Sequence, residues 1–216
     1  MVSNALVTLN DPTSAAAEAY RALRTNIEFV DDPIKTLLVT SAGPEADKEI
    51  NIANLAVTLS DGGQSVILVD ADLRRPSLHN LFELNNARGF TDMFRDQDAF
   101  DQPPLQTVAN TTLQVLTSGP VPQIPSQILN SKKMGSVLEA LSNQAEIVLF
   151  NAPPLMVVTD ASLLASKVDG TLLIVKANAS KRDHVKAAKS RLDKVNAKLI
   201  GAVLSNAPVD SSLQNY

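Results

Sequence analysis

Lys48 is the residue around which phosphate chemistry could be built in this chain. The stretch Leu37 to Leu59, LLVTSAGPEADKEINIANLAVTL, runs from an apolar strand through a turn-rich segment to a lysine that opens a helix. That is the skeleton of a phosphate-binding loop. A working loop needs glycines, so that backbone N–H groups can close around phosphate oxygens, and a Ser or Thr hydroxyl directly after the lysine to hold magnesium. Here Ala42, Gly43 and Pro44 make the turn, but Asp47 precedes the lysine and Glu49 follows it. A carboxylate about 5 Å from one phosphate charge repels it by on the order of 3 kcal/mol at an effective dielectric near 20. A Cβ at position 47 also crowds a place where backbone must approach the ligand, and Glu49 removes the short hydroxyl. The frame is present and its chemistry is altered.

Such a loop has to be held by a sheet, and the pattern supplies one. Short apolar strands are expected at 36–41, 65–70, 113–117, 146–150, 171–176 and 198–204. Helices fall at about 48–61, 76–82, 126–144, 160–167 and 181–195. The runs SVILVD, EIVLFN and TLLIVK are nearly continuous in apolar residues, as parallel strands covered on both faces are. The expected fold is therefore α/β, a doubly wound, mostly parallel sheet flanked by helices, with one domain spanning 1–216. Before the sheet, residues 1–12 read as an extended lead-in. Thr13 or Ser14 then caps a helix to about Val30, placing Ala16, Tyr20, Leu23, Ile27 and Val30 on one side and Glu18, Arg21, Arg24 and Glu28 on the other; Asp31-Asp32-Pro33 stops it. The stretch from Ala99 to Pro125, rich in Pro, Gln and Thr, is expected to run over the surface and then re-enter as strand QVLTSG.

In open sheets of this kind, ligands sit at the carboxyl ends of the strands. Two further strand ends carry suggestive residues. VILVDADLRRP places Asp70 and Asp72 at one, followed by Arg74 and Arg75; EIVLFNAPP ends another at Asn151. With three acids crowding its loop, Lys48 is expected to be satisfied internally, by Asp47, Glu49 or Asp70.

Composition excludes several alternatives. A formal net charge of −4, no Trp and two Tyr argue against a nucleic-acid binder, which shows a basic excess and aromatic platforms. With no cysteine there is no disulfide framework or thiolate metal site, and His79 and His184 stand alone. No apolar run approaches the roughly 20 residues that cross a bilayer, and the N-terminus lacks the charged and apolar regions of a signal peptide. The basic face of the helix from Lys181 to Lys194 reads as solvated.

The segments SAGPEADK, ILVDADLRRP and IVLFNAPPLMVVTDA together resemble the three nucleotide motifs of the bacterial tyrosine kinases (BY-kinases) of capsule and exopolysaccharide biosynthesis, members of the ParA/MinD-like class of P-loop ATPases. EAYRALRTNI, SGPVPQIPSQIL, VDGTLLIV and GAVLSN extend the resemblance over nearly the whole chain. It implies ATP or ADP with magnesium as ligands, weakly held or lost. Lys48, Asp70, Asp72 and Arg74 match the family pattern. Glu45 and Asp47 stand at family glycines, Glu49 at the Ser or Thr, Asn151 at the third-motif Asp and Ser205 at the Asn that reads adenine. The resemblance thus puts Ala42, Gly43, Pro44, Asp47, Lys48, Glu49, Arg74, Asn151, Ser205 and Asn206 at the nucleotide, Lys48, Asp70 and Asp72 in catalytic positions, and Glu49 and Asp70 at the metal. Glu18, Arg21 and Arg24 match a Glu-x-x-Arg-x-x-Arg signature of subunit contacts, which makes 1–34 a lead-in and oligomerisation helix. Tyr216 is the one tyrosine left where the family has a phosphorylated cluster.

Three readings follow. The expected one is a catalytically degenerate pseudokinase, cytoplasmic and brought to the inner face of the membrane by a polysaccharide co-polymerase or activator partner. It would self-associate or assemble with an active paralogue, without nucleic acid and without inserting in the membrane. The second is an active, divergent ATP-dependent tyrosine kinase or ATPase using Lys48, Asp70 and Asp72, with Glu49 recruited to the metal. The third is a ParA/MinD-like positioning protein.

Overall fold

The structure, a computed structural model, describes residues 4–207. Seven strands form one sheet in the order β3-β4-β2-β5-β1-β6-β7: β1 Thr36–Ser41, β2 Val66–Asp70, β3 Gln106–Thr107, β4 Gln114–Leu116, β5 Ile147–Asn151, β6 Gly170–Lys176 and β7 Leu199–Ser205. Every neighbouring pair is parallel except β3 and β4. Strands β1, β2 and β5 are buried along their whole length, which is why they read as unbroken apolar runs.

The helices cover both faces. They are α1 Val7–Asn10, α2 Ala15–Glu28, α3 Lys48–Asp61, α4 Leu78–Leu81, α5 Asp92–Arg95, α6 Gln97–Asp101, α7 Pro125–Leu129, α8 Lys133–Ser142, α9 Asp160–Ala165 and α10 Arg182–Lys194. One core layer sets Leu38, Val69 and Phe150 against α8 and α9, with Phe90 edge-on to Phe150. The other sets Leu37, Leu68 and Leu149 against α3. The start of β1 is tied to the start of β6 by Asp169, whose Oδ2 accepts from Lys35 N, Thr36 N and Thr36 Oγ1 at 3.0, 2.8 and 2.8 Å.

Several expectations need correction. The lead-in is not extended: it turns through α1, because Leu6 is fully buried and the Thr8 N–H and hydroxyl both donate to Asn54 Oδ1 of α3, at 3.0 and 2.9 Å. The helix capped by Ser14 ends at Glu28 and buries Ala17 and Ile27, while Ala16 faces solvent. The helix expected over 126–144 is two helices, α7 and α8. Leu129 and Met134 both enter the core, and in one unbroken helix residues five apart point about 140° from each other, so the chain must turn between them. The strand expected at 113–117 is present as β4, but the stretch before it is not merely an excursion, since it completes α6 and contributes β3.

Candidate functional site

Strands β1, β2 and β5 end side by side, and their carboxyl ends carry the residues the sequence singled out. After β1 the chain makes a 3-10 turn over Pro44–Ala46, and Asp47 then enters the left-handed region (φ 47°, ψ 39°) before α3 begins at Lys48. Glycine adopts that conformation freely and Asp is among the few other residues that tolerate it. The loop therefore carries an aspartate on a backbone conformation that glycine adopts more readily.

Lys48 is 3% exposed and its ammonium is enclosed. It donates to Glu49 Oε1, to Asp72 Oδ2 at 3.1 Å and to Asn151 Oδ1 at 3.2 Å. An ammonium has three donors, and these three acceptors use them. The expectation of an internally satisfied lysine holds for Glu49, but Asp47 and Asp70 are not its partners. Asp47 turns away and pairs with Lys176 at the end of β6. Asp70 points inward, with Oδ2 accepting from the Ser77 and Leu78 N–H groups, both at 2.9 Å, and Oδ1 from Asn151 Nδ2 at 2.9 Å.

Asn151 is consequently a bridge. Its amide oxygen meets the Lys48 ammonium and its amide nitrogen meets the Asp70 carboxylate, a pairing that a carboxylate at this position could not make. Burial pushes the Asp70 carboxyl above the usual range, the Leu78 and Ser77 N–H groups and the Asn151 amide pull it back, and the nearby Asp72 charge adds to the rise. Asp72 itself is spoken for twice, by Lys48 and by the Arg75 N–H at 3.1 Å. Arg74 reaches across to buried Asp160 in a two-pronged ion pair of 2.7 and 3.1 Å.

The predicted nucleotide set is divided between two cavities. Pro44, Lys48, Glu49, Asp72 and Arg74 border one of about 400 Å³; Asp47, Ser205 and Asn206 border another of about 540 Å³ beside α2. Ala42 and Gly43 are buried in the loop. In this arrangement the side chains that would meet a magnesium nucleotide are committed to one another. Glu49 and Asp72 are both paired to Lys48, Asp70 is turned into the protein, no hydroxyl follows the lysine, and among the described residues no group of three or more His, Asp or Glu side chains is placed to hold a metal ion.

The signature on α2 is partly internal. Arg21 pairs with Glu18 at 2.6 Å and donates to the Pro12 carbonyl at 2.9 Å, while Arg24 leans on α3 and donates to the Thr58 carbonyl at 3.2 Å. Tyr216 lies outside the described residues. Two participants escaped sequence reasoning. Lys176 ends the TLLIVK strand at the same edge as Lys48, and Asp160 falls inside the motif VVTDA, so strand-end position was the available signal for the first and motif membership for the second. No helix among the described residues is long and apolar enough to cross a membrane.

No protein-family model matches the sequence. Individual proteins do. The tyrosine-protein kinase YwqD of Bacillus subtilis is 36% identical over 202 residues, 93% of this chain and 85% of that protein. CapB of Staphylococcus aureus is 33% identical over 207 residues, 95% of this chain and 90% of that protein. The tyrosine-protein kinase etk of Escherichia coli is 30% identical over 199 residues, but the chain covers only 27% of its length. Among solved structures, the kinase domain of the Escherichia coli tyrosine kinase ETK superposes with a TM-score of 0.89 at 29% identity, over 96% of this chain and 82% of that one. The chimerical protein CapA2B2 gives 0.88 at 31% identity, over 96% and 92%. The Pyrococcus furiosus cell division ATPase MinD, at 20% identity and a TM-score of 0.66 over 82% of this chain and 76% of that one, shares the fold.

Proposed function

The chain belongs to the bacterial tyrosine-protein kinase family, and we propose that within it this is a pseudokinase, a scaffold or regulator of capsular or exopolysaccharide assembly and export that does not transfer phosphate. The enclosed ammonium of Lys48 carries this reading. The cation that should meet a nucleotide's phosphates already meets Glu49, Asp72 and Asn151. A phosphate that drew the ammonium away from Asp72 would leave that buried carboxylate without its partner, which is strongly unfavourable. The departures act on one phosphate–magnesium unit, so repairing any single one is not expected to restore it.

Partner recognition then falls to the outer surface. By family resemblance the partner is a membrane-embedded polysaccharide co-polymerase or activator, or an active paralogue, and the place of work is the cytoplasmic side of the cell membrane. Oligomerisation through Glu18, Arg21 and Arg24 belongs to the same reading.

The deciding experiment is a thermal shift with Mg-ATP and Mg-ADP. A ligand present at about 100 times its dissociation constant and binding only the folded state adds roughly 2.7 kcal/mol, an easily visible rise. The pseudokinase reading expects none at millimolar nucleotide. A clear shift together with transfer of label from ATP to tyrosine would establish the rival reading, an active kinase using Lys48, Asp70 and Asp72.

A further inference from the structure

Two ammonium groups stand at the edge of the loop over residues 41–49, and the loop caps both with its own carboxylates. Glu49 pairs with Lys48 and Asp47 pairs with Lys176. The two carboxylates differ from the inner partners of Lys48. Asp72 and Asn151 are buried and hydrogen-bonded to further groups, whereas Glu49 is 32% exposed and Asp47 is 47% exposed. Asp47 makes no side-chain cap to α3, the usual work of an aspartate at a helix start. It keeps a left-handed backbone that would suit glycine better and commits its side chain to Lys176 instead.

We propose that Asp47 and Glu49 form an autoinhibitory contact: two built-in anions that stand where the oxyanions of a polyphosphate would otherwise pair with Lys176 and Lys48. This rests on the reading of the chain as a family member with a closed site, and adds which residues close it and through which lysines. Each carboxylate acts on a different ammonium, so their removal should be additive to a first approximation. The anion admitted would be bound without magnesium, because neither removal supplies the missing hydroxyl or changes Asn151, and the site gains two cations rather than a metal cage.

The test compares the unaltered protein with Asp47→Gly, Glu49→Ala and the double variant, probed with sodium triphosphate and with ATP in EDTA and in magnesium, by calorimetry and thermal shift. The unaltered protein should bind none of them. The double variant should bind triphosphate at least about tenfold more tightly than either single variant, with no gain from magnesium and a loss at high salt. Lys176→Met in the double variant should cancel the part gained through position 47. The proposal is overturned if the double variant, folded by circular dichroism, binds no triphosphate, or if Glu49→Ala alone gives the full gain and Lys176→Met changes nothing. The two failures are distinguishable. Binding of Mg-ATP by the unaltered protein with transfer of label to tyrosine sinks the pseudokinase and the contact with it, while silence from the unaltered protein and from the folded double variant sinks only the autoinhibitory contact.

Discussion

The loop over residues 41–49 and the strand end over residues 70–75 lie at the same edge of the sheet, and their charged side chains are used in opposite ways. The strand end keeps Asp70, Asp72 and Arg74, yet each is absorbed by the interior: Asp70 holds the Ser77 and Leu78 N–H groups, Asp72 holds Lys48, and Arg74 holds Asp160. The loop carries Glu45, Asp47 and Glu49, and two of these supply counter-charges on its outer side. The strand-end residues thus do structural work, and the loop residues do electrostatic work. Keeping a motif's residues is therefore a poor guide to keeping its chemistry, because a carboxylate paired within the protein is not available to a ligand.

That contrast can be broken by substitution, and the largest effect should come from its centre. Lys48→Met removes the cation that both regions share and leaves the Asp72 carboxylate buried without it; loss of one partner from a buried pair costs about 3 to 5 kcal/mol. Urea denaturation should register that loss, and a cost below about 1 kcal/mol would mean the network contributes little.

Asn151→Asp comes next. It sets a second carboxylate against Asp70, which receives the present amide at 2.9 Å, and should cost on the order of 2 kcal/mol near pH 7. The sign with pH follows from Asp70, whose folded value is raised, first by burial. A raised group contributes stability that is fully present below the unfolded value of about 3.9 and is lost as pH rises through the folded value. The deficit of the variant should therefore shrink as the pH is lowered from about 7 toward about 4, and a deficit that grows on acidification would refute the assignment of Asn151 as the bridge.

A contact away from both regions calibrates the scale. Asp169→Ala leaves the Lys35 and Thr36 N–H groups without their shared acceptor and should cost about 1 to 3 kcal/mol, with no effect on any triphosphate binding. The smallest change is expected from Asp47→Gly. It relieves a left-handed aspartate but gives up an exposed ion pair worth at most about 1 kcal/mol, so the melting transition should move little. A large loss would show that the pair with Lys176 supports the fold.

Much of this arrangement is legible in the order of residues alone. Strands β1, β2, β5 and β6 announce themselves because burial on both faces forces apolar runs, and α3 because an apolar helix opened by a lysine follows directly from β1. Elements whose burial is intermittent are harder to read: α5 and α6 are held by local devices such as the Asp96 side chain accepting from the Asp98 N–H, and β3 is two residues long. In the site, the closure of Lys48 follows from the chain alone because Glu49 is its neighbour in sequence. The choice of Asp72 over Asp70 does not, since it depends on which carboxylate turns inward to meet the N–H groups of α4. Nor does the pairing of Asp47 with Lys176, which are 129 residues apart and meet only because β6 lies beside β1.

The two borders of the sheet have a consequence for colloidal behaviour. On one border the antiparallel β3 covers part of β4 and offers only two residues of its own. On the other, β7 runs for seven residues, and Leu204 upon it is 58% exposed. Among the described residues no strand pairs with the outer side of β7, and unpaired backbone groups beside an apolar side chain are a template for adding a foreign strand. Self-association of concentrated protein should therefore be one-sided, growing from the β7 border and suppressed by a lysine or proline placed on that strand.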